Sequence, residues 1–118
     1  MEYMLLIHAD PAGFAALGDT ERGAALAAYA AYTEALTKAG LIRGSNRLRP
    51  ADSSTTVRVR GGKTEVLDGP FIETREQLGG YFLIDVPDLD AALGWAVRCP
   101  GASHGSVEVR PVWPTGSQ

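Results

Sequence analysis

Four apolar segments along the chain predict the strands of one sheet. Residues 4–7 form a continuous apolar run closed by polar residues, and residues 81–84 form a second, which is typical of strands buried on both faces. In residues 106–112 valines alternate with charged side chains, as expected for a strand with one solvent-exposed face. Residues 41–48 are a weaker strand candidate.

A further pair of segments predicts a β-hairpin in the middle of the chain. Residues 55–60 alternate β-branched and charged side chains, and residues 63–67 follow after only two residues. Those two residues are Gly61 and Gly62, which suit the positive φ angles of a two-residue hairpin turn.

Two segments repeat their apolar residues with helical spacing. Residues 20–39 predict a long helix, with Asp19 or Thr20 as its N-cap and Gly40 as the left-handed residue at its end. Its expected apolar stripe consists of Leu26, Tyr29, Ala30, Thr33, Leu36 and Thr37. A second helix opens at Pro87-Asp88 and stops at Cys99-Pro100-Gly101. Its expected apolar face consists of Leu89, Ala92, Leu93, Ala96 and Val97.

The order is strand, helix, strand, hairpin, strand, helix, strand. Two βαβ-like halves of this kind form an antiparallel sheet with both helices packed on one face. Because two helices cover only one face, the apolar side chains on the other need a second copy of the sheet as cover. We expect residues 1–113 to be a single domain and residues 114–118 to be a disordered tail.

Composition narrows the function classes. The 118 residues carry 11 basic and 14 acidic side chains, a formal net charge of −3, so no general basic surface for nucleic acid is expected. The arginines in the middle of the chain include Arg58 and Arg60, which alternate with valines and are expected on the solvent-exposed face of a strand. One cysteine excludes an internal disulfide, and the first apolar run is too short for a signal peptide or membrane span. We predict a cytoplasmic protein that binds neither nucleic acid nor membrane.

Several short motifs, in order along the chain, resemble one known family. They are Tyr3-Met4-Leu5-Leu6-Ile7, Asp68-Gly69-Pro70-Phe71, Glu73-Thr74, Glu76, Leu78-Gly79-Gly80-Tyr81, Trp95-Ala96, Cys99-Pro100 and Gly105-Ser106-Val107-Glu108-Val109-Arg110-Pro111. Together they resemble the DGPF subgroup of the YCII-related family over nearly the whole chain. One Asp-Gly-Pro-Phe alone would be a weak signal, since it resembles many turns.

This resemblance implies a fold, a partner and a class of chemistry. The fold is α+β and ferredoxin-like, βαββαβ with an extra hairpin, and two copies close a dimeric α/β barrel. Members of the subgroup often accompany extracytoplasmic-function sigma factors. The wider family has been proposed to contain enzymes that use a His–Asp pair.

The first candidate for such chemistry is His8, which ends the first predicted strand. Asp10 follows two residues later, which places both side chains on one face if the extended backbone continues. A carboxylate beside an imidazole orients its tautomer and raises its pKa, as a general base requires. The alternative is that His8 only terminates a strand and that Asp10-Pro11 starts a turn.

The second candidate is the connector from Asp68 to Gly80. Asp-Gly-Pro is a turn sequence, and residues 74–77 resemble a capping box for one short helical turn, so the segment can be a rigid connector alone. Its length and its ionisable groups favour a functional loop. In that case Asp68 acts with the histidines. The expected ligand-binding residues are Asp10, Phe71, Glu73, Glu76 and Tyr81.

His104 precedes the last strand, and both histidines of the chain therefore lie at strand ends. They could converge on one pocket as acid/base groups. With Glu73, Glu76 or Glu108 they could also form a two-histidine, one-carboxylate metal site, although the spacing matches no dedicated metal motif. Glu108 and Arg110 share a strand face, which favours a structural ion pair. Cys99 is expected to be inert, since it ends a helix as a small packed side chain.

Two functions remain open from the sequence. The first is a small-molecule enzyme or binding protein whose pocket is walled by Phe71, Tyr81 and the Asp68 loop. The second is a regulatory or interaction module with an exposed patch that survives dimerisation. The residues specify no cofactor and no substrate.

Overall fold

The computed structural model describes residues 1–114, so most of the predicted tail, residues 115–118, lies outside the described part. The strands are β1 (Glu2–Ala9), β2 (Ile42–Arg47), β3 (Thr55–Arg60), β4 (Lys63–Asp68), β5 (Gln77–Asp85) and β6 (Ser106–Pro111). The helices are α1 (Pro11–Ala15), α2 (Asp19–Lys38) and α3 (Leu89–Arg98). Two short 3₁₀ turns occur at Ala51–Ser53 and Pro100–Ser103.

The main sheet has four antiparallel strands in the order β2-β5-β1-β6. With the hairpin β3–β4 set aside, the element order is βαββαβ, and the predicted ferredoxin-like α+β fold is confirmed. In β1, Leu5 lies opposite Phe82 of β5 and Val109 of β6. The apolar run in residues 4–7 therefore forms a central strand, as expected.

The core lies between one face of this sheet and the two longer helices, as the sequence predicts. Leu5 and Ile84 from the sheet and Leu36 from α2 are completely buried. The Tyr32 ring packs edge-on against Phe82, with ring centroids 5.2 Å apart. Its hydroxyl donates a hydrogen bond to the main-chain carbonyl of Trp95 in α3 at 2.7 Å, so one side chain joins both helices to the sheet.

The C-terminal end of α2 follows the prediction. Gly40 adopts a φ of +72°, and the N–H groups of Gly40 and Leu41 bond the carbonyls of Thr37 and Leu36. The start differs, because the N-cap is Gly18 rather than Asp19 or Thr20.

The predicted stripe of α2 was also only partly right. Tyr32 is buried and was not part of it, whereas Leu26, Ala30 and Thr37 are exposed. The alanine-rich sequence gives few large side chains from which to fix the buried face.

Helix α3 begins as expected at Asp88, whose carboxylate accepts a hydrogen bond from the N–H of Ala91 at 2.9 Å. Only two of the five residues of its predicted apolar face are buried. Ala92 and Ala96 face the core, whereas Leu89, Leu93 and Val97 form an exposed ridge on the outside of the helix layer.

The predicted hairpin is present, with Gly61 and Gly62 at φ angles of +57° and +76°. Strands β3 and β4 form a separate two-stranded sheet and pair only with each other in the described part of the chain. Val57 lies opposite Val66, and with Val59 they form a face whose side chains are about 60% exposed.

Three local features differ from the sequence predictions. Where a turn was expected after Asp10, the chain forms the short helix α1. The helical turn expected at residues 74–77 is absent, because the Thr74 hydroxyl bonds the Glu76 carbonyl instead of capping a helix. The connector is also shorter than expected, since β5 already begins at Gln77. Among residues 1–114, no helix has both the length and the apolar character needed to cross a membrane.

Candidate active site on the open sheet face

His8 lies near the end of β1 on the face of the sheet that no helix covers. Alternation along β1 directs Tyr3, Leu5 and Ile7 into the core and leaves Met4, Leu6 and His8 on the open face. His8 pairs with Leu78 of β5 and with Ser106 of β6. The hairpin leaves the sheet at this same end, between β2 and β5.

The carboxylate that contacts His8 is that of Glu108. The Nε2 atom of His8 lies 3.2 Å from Oε1 of Glu108, and the Arg110 guanidinium bonds the other carboxylate oxygen. The hydrogen bond from Arg110, and secondarily the one from His8, holds the pKa of Glu108 below its ordinary value of 4.5. Glu108 therefore remains ionised beside the imidazole at neutral pH.

A glycine allows this approach of the two strands. A Cβ atom on Gly105 would lie 2.1 Å from the carbonyl oxygen of His8, a distance that backbone atoms cannot tolerate. Gly105 immediately precedes β6, and Ser106 is the residue that pairs with His8. The absence of a side chain at position 105 thus lets β6 pair closely with β1 and brings Glu108 within reach of His8.

The predicted contact between His8 and Asp10 is not formed. Extended backbone ends at Ala9, and Asp10 becomes the N-cap of α1, with its Oδ1 accepting a hydrogen bond from the N–H of Ala12 at 2.9 Å. Its Oδ2 lies 3.4 Å from Nε of Arg75. Asp10 therefore links the end of β1 to the connector before β5 instead of orienting the imidazole.

His104 does not share the environment of His8. It is exposed and follows the 3₁₀ turn at Pro100–Ser103, where its N–H bonds the carbonyl of Gly101. No group of three or more His, Cys, Asp or Glu side chains that could hold a metal ion occurs in residues 1–114. The two-histidine, one-carboxylate arrangement is thus not assembled within a single chain.

The predicted acidic residues of the connector are all exposed. Asp68 ends β4 opposite Thr55 of β3, and Glu73 and Glu76 lie on the irregular segment that follows. Phe71 is also turned outward, with 69% of its surface exposed. None of these residues forms a hydrogen bond or ion pair with His8 in the described part of the chain.

Tyr81 lies on the open face together with the His8–Glu108 pair. It sits opposite Leu6, which in turn sits opposite Glu108, so the three side chains form one row across the sheet. The Tyr81 hydroxyl accepts a hydrogen bond from the side-chain amide of Asn46 at 2.8 Å. The row thus carries a polar group at each end and an apolar centre.

An open groove of about 420 Å³ adjoins this end of the sheet. It lies between the β2–β3 connector, the β4–β5 connector and the beginning of β5. Its lining consists of Leu48, Arg49, Ala51, Ser53, Ser54, Pro70, Phe71, Ile72, Thr74, Gln77 and Leu78. Of the features expected to wall a pocket, Phe71 and other residues of the Asp68 loop line this groove, whereas Tyr81 and the Asp68 side chain do not. That this groove is the functional pocket stays a prediction. Leu78 is the β5 residue that pairs with His8, so the groove adjoins the strand pair that carries the imidazole, while His8 itself does not line it.

From the sequence, Glu108 was grouped with His8 only as one possible metal ligand, and Arg49 was not named as a site residue. One signal for Glu108 was available, since alternation places it on the same strand face as Arg110, and that ion pair is present. The cross-strand contact with His8 depends on register, which one sequence does not specify. Arg49 had no signal beyond its membership of the arginine-rich central segment.

Comparison with known proteins places the chain in a family. The model of the YCII-related domain matches residues 1–115. An uncharacterized protein of Rhizobium meliloti (strain 1021) is 38% identical over 114 residues, which cover 95% of this chain and 92% of that protein. Among solved structures, 5-chloro-2-hydroxyhydroquinone dehydrochlorinase from Burkholderia phenoliruptrix AC1100, in complex with 2,5-dihydroxybenzoquinone, matches with a TM-score of 0.59. That match covers 98% of this chain and 96% of the other at 15% identity, which shows a shared fold. The chain belongs to the YCII-related family.

Proposed function

We propose that the chain is a homodimer that binds a small molecule at the His8 end of the open sheet face, with His8 as an acid/base group. The observation that carries this proposal is the contact between His8 and the ionised carboxylate of Glu108. Both side chains remain partly accessible, 33% and 41% exposed, so a ligand can reach them. Phe71 and Tyr81 are the nearby aromatic residues proposed to contact the ligand.

The chemistry follows from the geometry of the pair. When the proton of the neutral imidazole is on Nε2, this N–H donates a hydrogen bond to Glu108, and Nδ1 is free to accept a proton. The carboxylate also stabilises the imidazolium that forms when Nδ1 takes a proton from the ligand. Glu108 thus takes the orienting role that the family resemblance assigns to an aspartate. Asp68, Asp10, His104, Glu73 and Glu76 lie outside this arrangement within one chain.

The open face itself supports dimerisation. Met4, Leu6 and Leu83 are apolar and only half-buried on it, and a second sheet would remove them from water. The shape of the chain also supports dimerisation, because the chain is less compact than expected for an isolated globular domain of its length. Its radius of gyration is 16.4 Å, whereas a compact chain of this length has about 13.5 Å. We take residues 1–113 as one domain of such a dimer. The cytoplasmic location stays a prediction from the sequence.

The two histidines of the chain supply a matched test. A metabolite panel is first screened for compounds that raise the melting temperature of the wild-type protein, and each hit is then incubated with protein while its disappearance is followed by NMR. His8→Gln should abolish turnover of a hit, whereas His104→Gln should leave it unchanged. Equal turnover by the wild type and by His8→Gln would show that His8 takes no part in the reaction.

The oligomeric state is tested separately by light scattering at micromolar concentration, where a dimer is expected. A monomer under these conditions would contradict the homodimer. In addition, ¹⁵N-detected NMR of the histidine rings should show the Nε2-protonated tautomer for His8, and Glu108→Gln should alter that signal without altering the signal of His104.

A second candidate function is supported by the exposed ridge on α3. Leu89, Leu93 and Val97 lie on the helix layer, opposite the open sheet face, and would stay uncovered when two sheets pack together. Such a ridge suits an interaction module, and the family resemblance points to an extracytoplasmic-function sigma factor as its partner. Under this alternative, Leu93→Glu should weaken binding to that sigma factor by at least tenfold and leave the dimer intact. No measurable binding by the wild-type protein would exclude the alternative.

A further inference from the structure

We propose that the groove beside His8 takes a small planar aromatic molecule that carries one anionic group, with Arg49 binding the anion and Phe71 covering the ring. This inference rests on the proposed function, because it names the class of ligand that the site receives. It is drawn from the lining of the groove and from how its walls are held.

The groove walls are fixed by hydrogen bonds between separate segments. The side-chain oxygen of Gln77 in β5 accepts from the N–H of Ala51 at 3.0 Å, and the N–H of Leu48 donates to the carbonyl of Gly79 at 2.9 Å. The N–H of Gly69 also donates to the carbonyl of Ser54 at 2.7 Å. Both connectors are thus tied in place, so the groove is formed before any ligand binds. Its volume of about 420 Å³ lies within the usual range for small-molecule sites.

The positive charge of the groove lining favours an anionic ligand. Arg49 is the one charged side chain among the lining residues, and no carboxylate shares the groove with it. Within residues 1–114, Arg49 takes part in none of the ion pairs. A second, smaller cleft lined by Arg47, Leu48, Arg49 and Pro50 continues the positive region. In a chain of net charge −3, this is a local site for an anion.

The other residues of the groove lining favour a ligand with an aromatic ring. Phe71 and Ile72 are 69% and 62% exposed, and together with Leu48, Pro70 and Leu78 they present an apolar surface next to Arg49. A flat ring can stack on Phe71 and remove that surface from water while its carboxylate meets the guanidinium. A single arginine matches one carboxylate, whose two oxygens fit its planar donors.

Benzoate, benzamide and acetate are the probes for this inference, with binding measured by NMR titration of the ¹⁵N-labelled chain. Benzoate should bind at least tenfold more tightly than benzamide, which has the same ring without the charge, and more tightly than acetate, which has the charge without the ring. Resonances of the groove segments should shift. Equal affinity for benzoate and benzamide, or shifts confined to other surfaces, would overturn the inference.

Variants separate the two parts of the site. Arg49→Gln should reduce benzoate affinity to that of benzamide, Arg49→Lys should retain part of the preference, and Phe71→Ala should weaken both ligands. Arg60→Gln, at the tip of the hairpin, is the matched control and should leave all affinities unchanged. If Arg49→Gln binds benzoate like the wild type, the inference fails.

His8→Gln distinguishes this inference from the proposed function. Benzoate binding should survive that substitution, because Arg49 and Phe71 hold the ligand. A wild-type preference for benzoate combined with full turnover by His8→Gln would support the ligand class and contradict the catalytic role of His8. Loss of the benzoate preference in Arg49→Gln with no turnover by His8→Gln supports both.

Discussion

Strand β1 and the hairpin strand β3 both carry apolar side chains at every second position, but only those of β1 are buried. Tyr3, Leu5 and Ile7 on one face of β1 are at most 8% exposed, because α2 and α3 cover that face. Val57 and Val59 of the hairpin have the same spacing and are 60% exposed. Alternation therefore identifies an apolar face, and the topology decides whether a cover exists. Because both long helices pack on the main sheet, no helix covers the hairpin within the described residues 1–114.

The largest effect is expected where the contrast in burial is greatest. Leu5→Ala should lower the free energy of unfolding by about 2–5 kcal/mol, because it leaves a cavity in a fully buried position. Val57→Ala on the hairpin should lower it by less than about 0.5 kcal/mol at protein concentrations at which the chain is monomeric and no second chain covers the valine face. Urea denaturation of both variants measures the difference. Similar losses would mean that the hairpin is packed as tightly as the core.

The next effect concerns how closely β6 approaches β1. Gly105→Ala should lower the free energy of unfolding by about 1–3 kcal/mol, since the new methyl group meets the carbonyl of His8 and the strands must separate. Gly94→Ala in α3 is the control. Nothing lies within 4 Å of a Cβ there, so it should stabilise the chain by about 0.5–1 kcal/mol.

In addition to the free energy of unfolding, the NMR signal of the His8 ring is measured. It should change in Gly105→Ala and stay the same in Gly94→Ala. If Gly105→Ala is as stable as the wild type, the close approach does not constrain the pair.

A third prediction asks whether a second chain covers the valine face. Val66 and Leu67 are neighbours in β4 on opposite faces of the hairpin, and both are exposed. Val66→Lys should raise the dimer dissociation constant at least tenfold, because a charge enters the apolar face. Leu67→Lys should change it little. Light scattering over a dilution series gives both constants, and equal weakening would leave the valine face without a special role.

The smallest effect is the pH dependence that Glu108 contributes. Its pKa is lower in the folded chain than its ordinary value of 4.5, so its stabilising contribution is complete above that value. The contribution is lost as the pH falls through the lower folded pKa. Wild type should therefore unfold at a higher temperature than Glu108→Gln at neutral pH, and the difference should vanish in acid. A difference that stays constant with pH would mean that the ionised carboxylate is not its source.

The sequence predicted most of the fold because each element has a local signal. The run in residues 4–7, the Gly61-Gly62 turn and the Asp88 cap each depend on neighbours in the chain, and all three are confirmed. Helix α1 was missed because Asp10-Pro11 favours a turn and the start of a helix equally well.

The candidate site was predicted less well because it depends on contacts between distant segments. His8 was identified as a strand-end residue, yet its partner lies 100 positions away and is set by the register between β1 and β6. Asp10 was the nearer carboxylate along the chain, and the end of extended backbone at Ala9 turned it away. Arg49 lines the groove together with residues of the β4–β5 connector and of β5, a grouping that depends on contacts between distant segments.

The burial of Cys99 has a practical consequence for labelling. Cys99 as a residue is 2% exposed, and desolvation raises the pKa of its thiol, so thiol reagents should leave it untouched in the native chain. A single cysteine placed at Lys63 would then be the one reactive thiol among residues 1–114. A fluorophore or spin label attached there could report the distance between two hairpin tips without any background from the native protein.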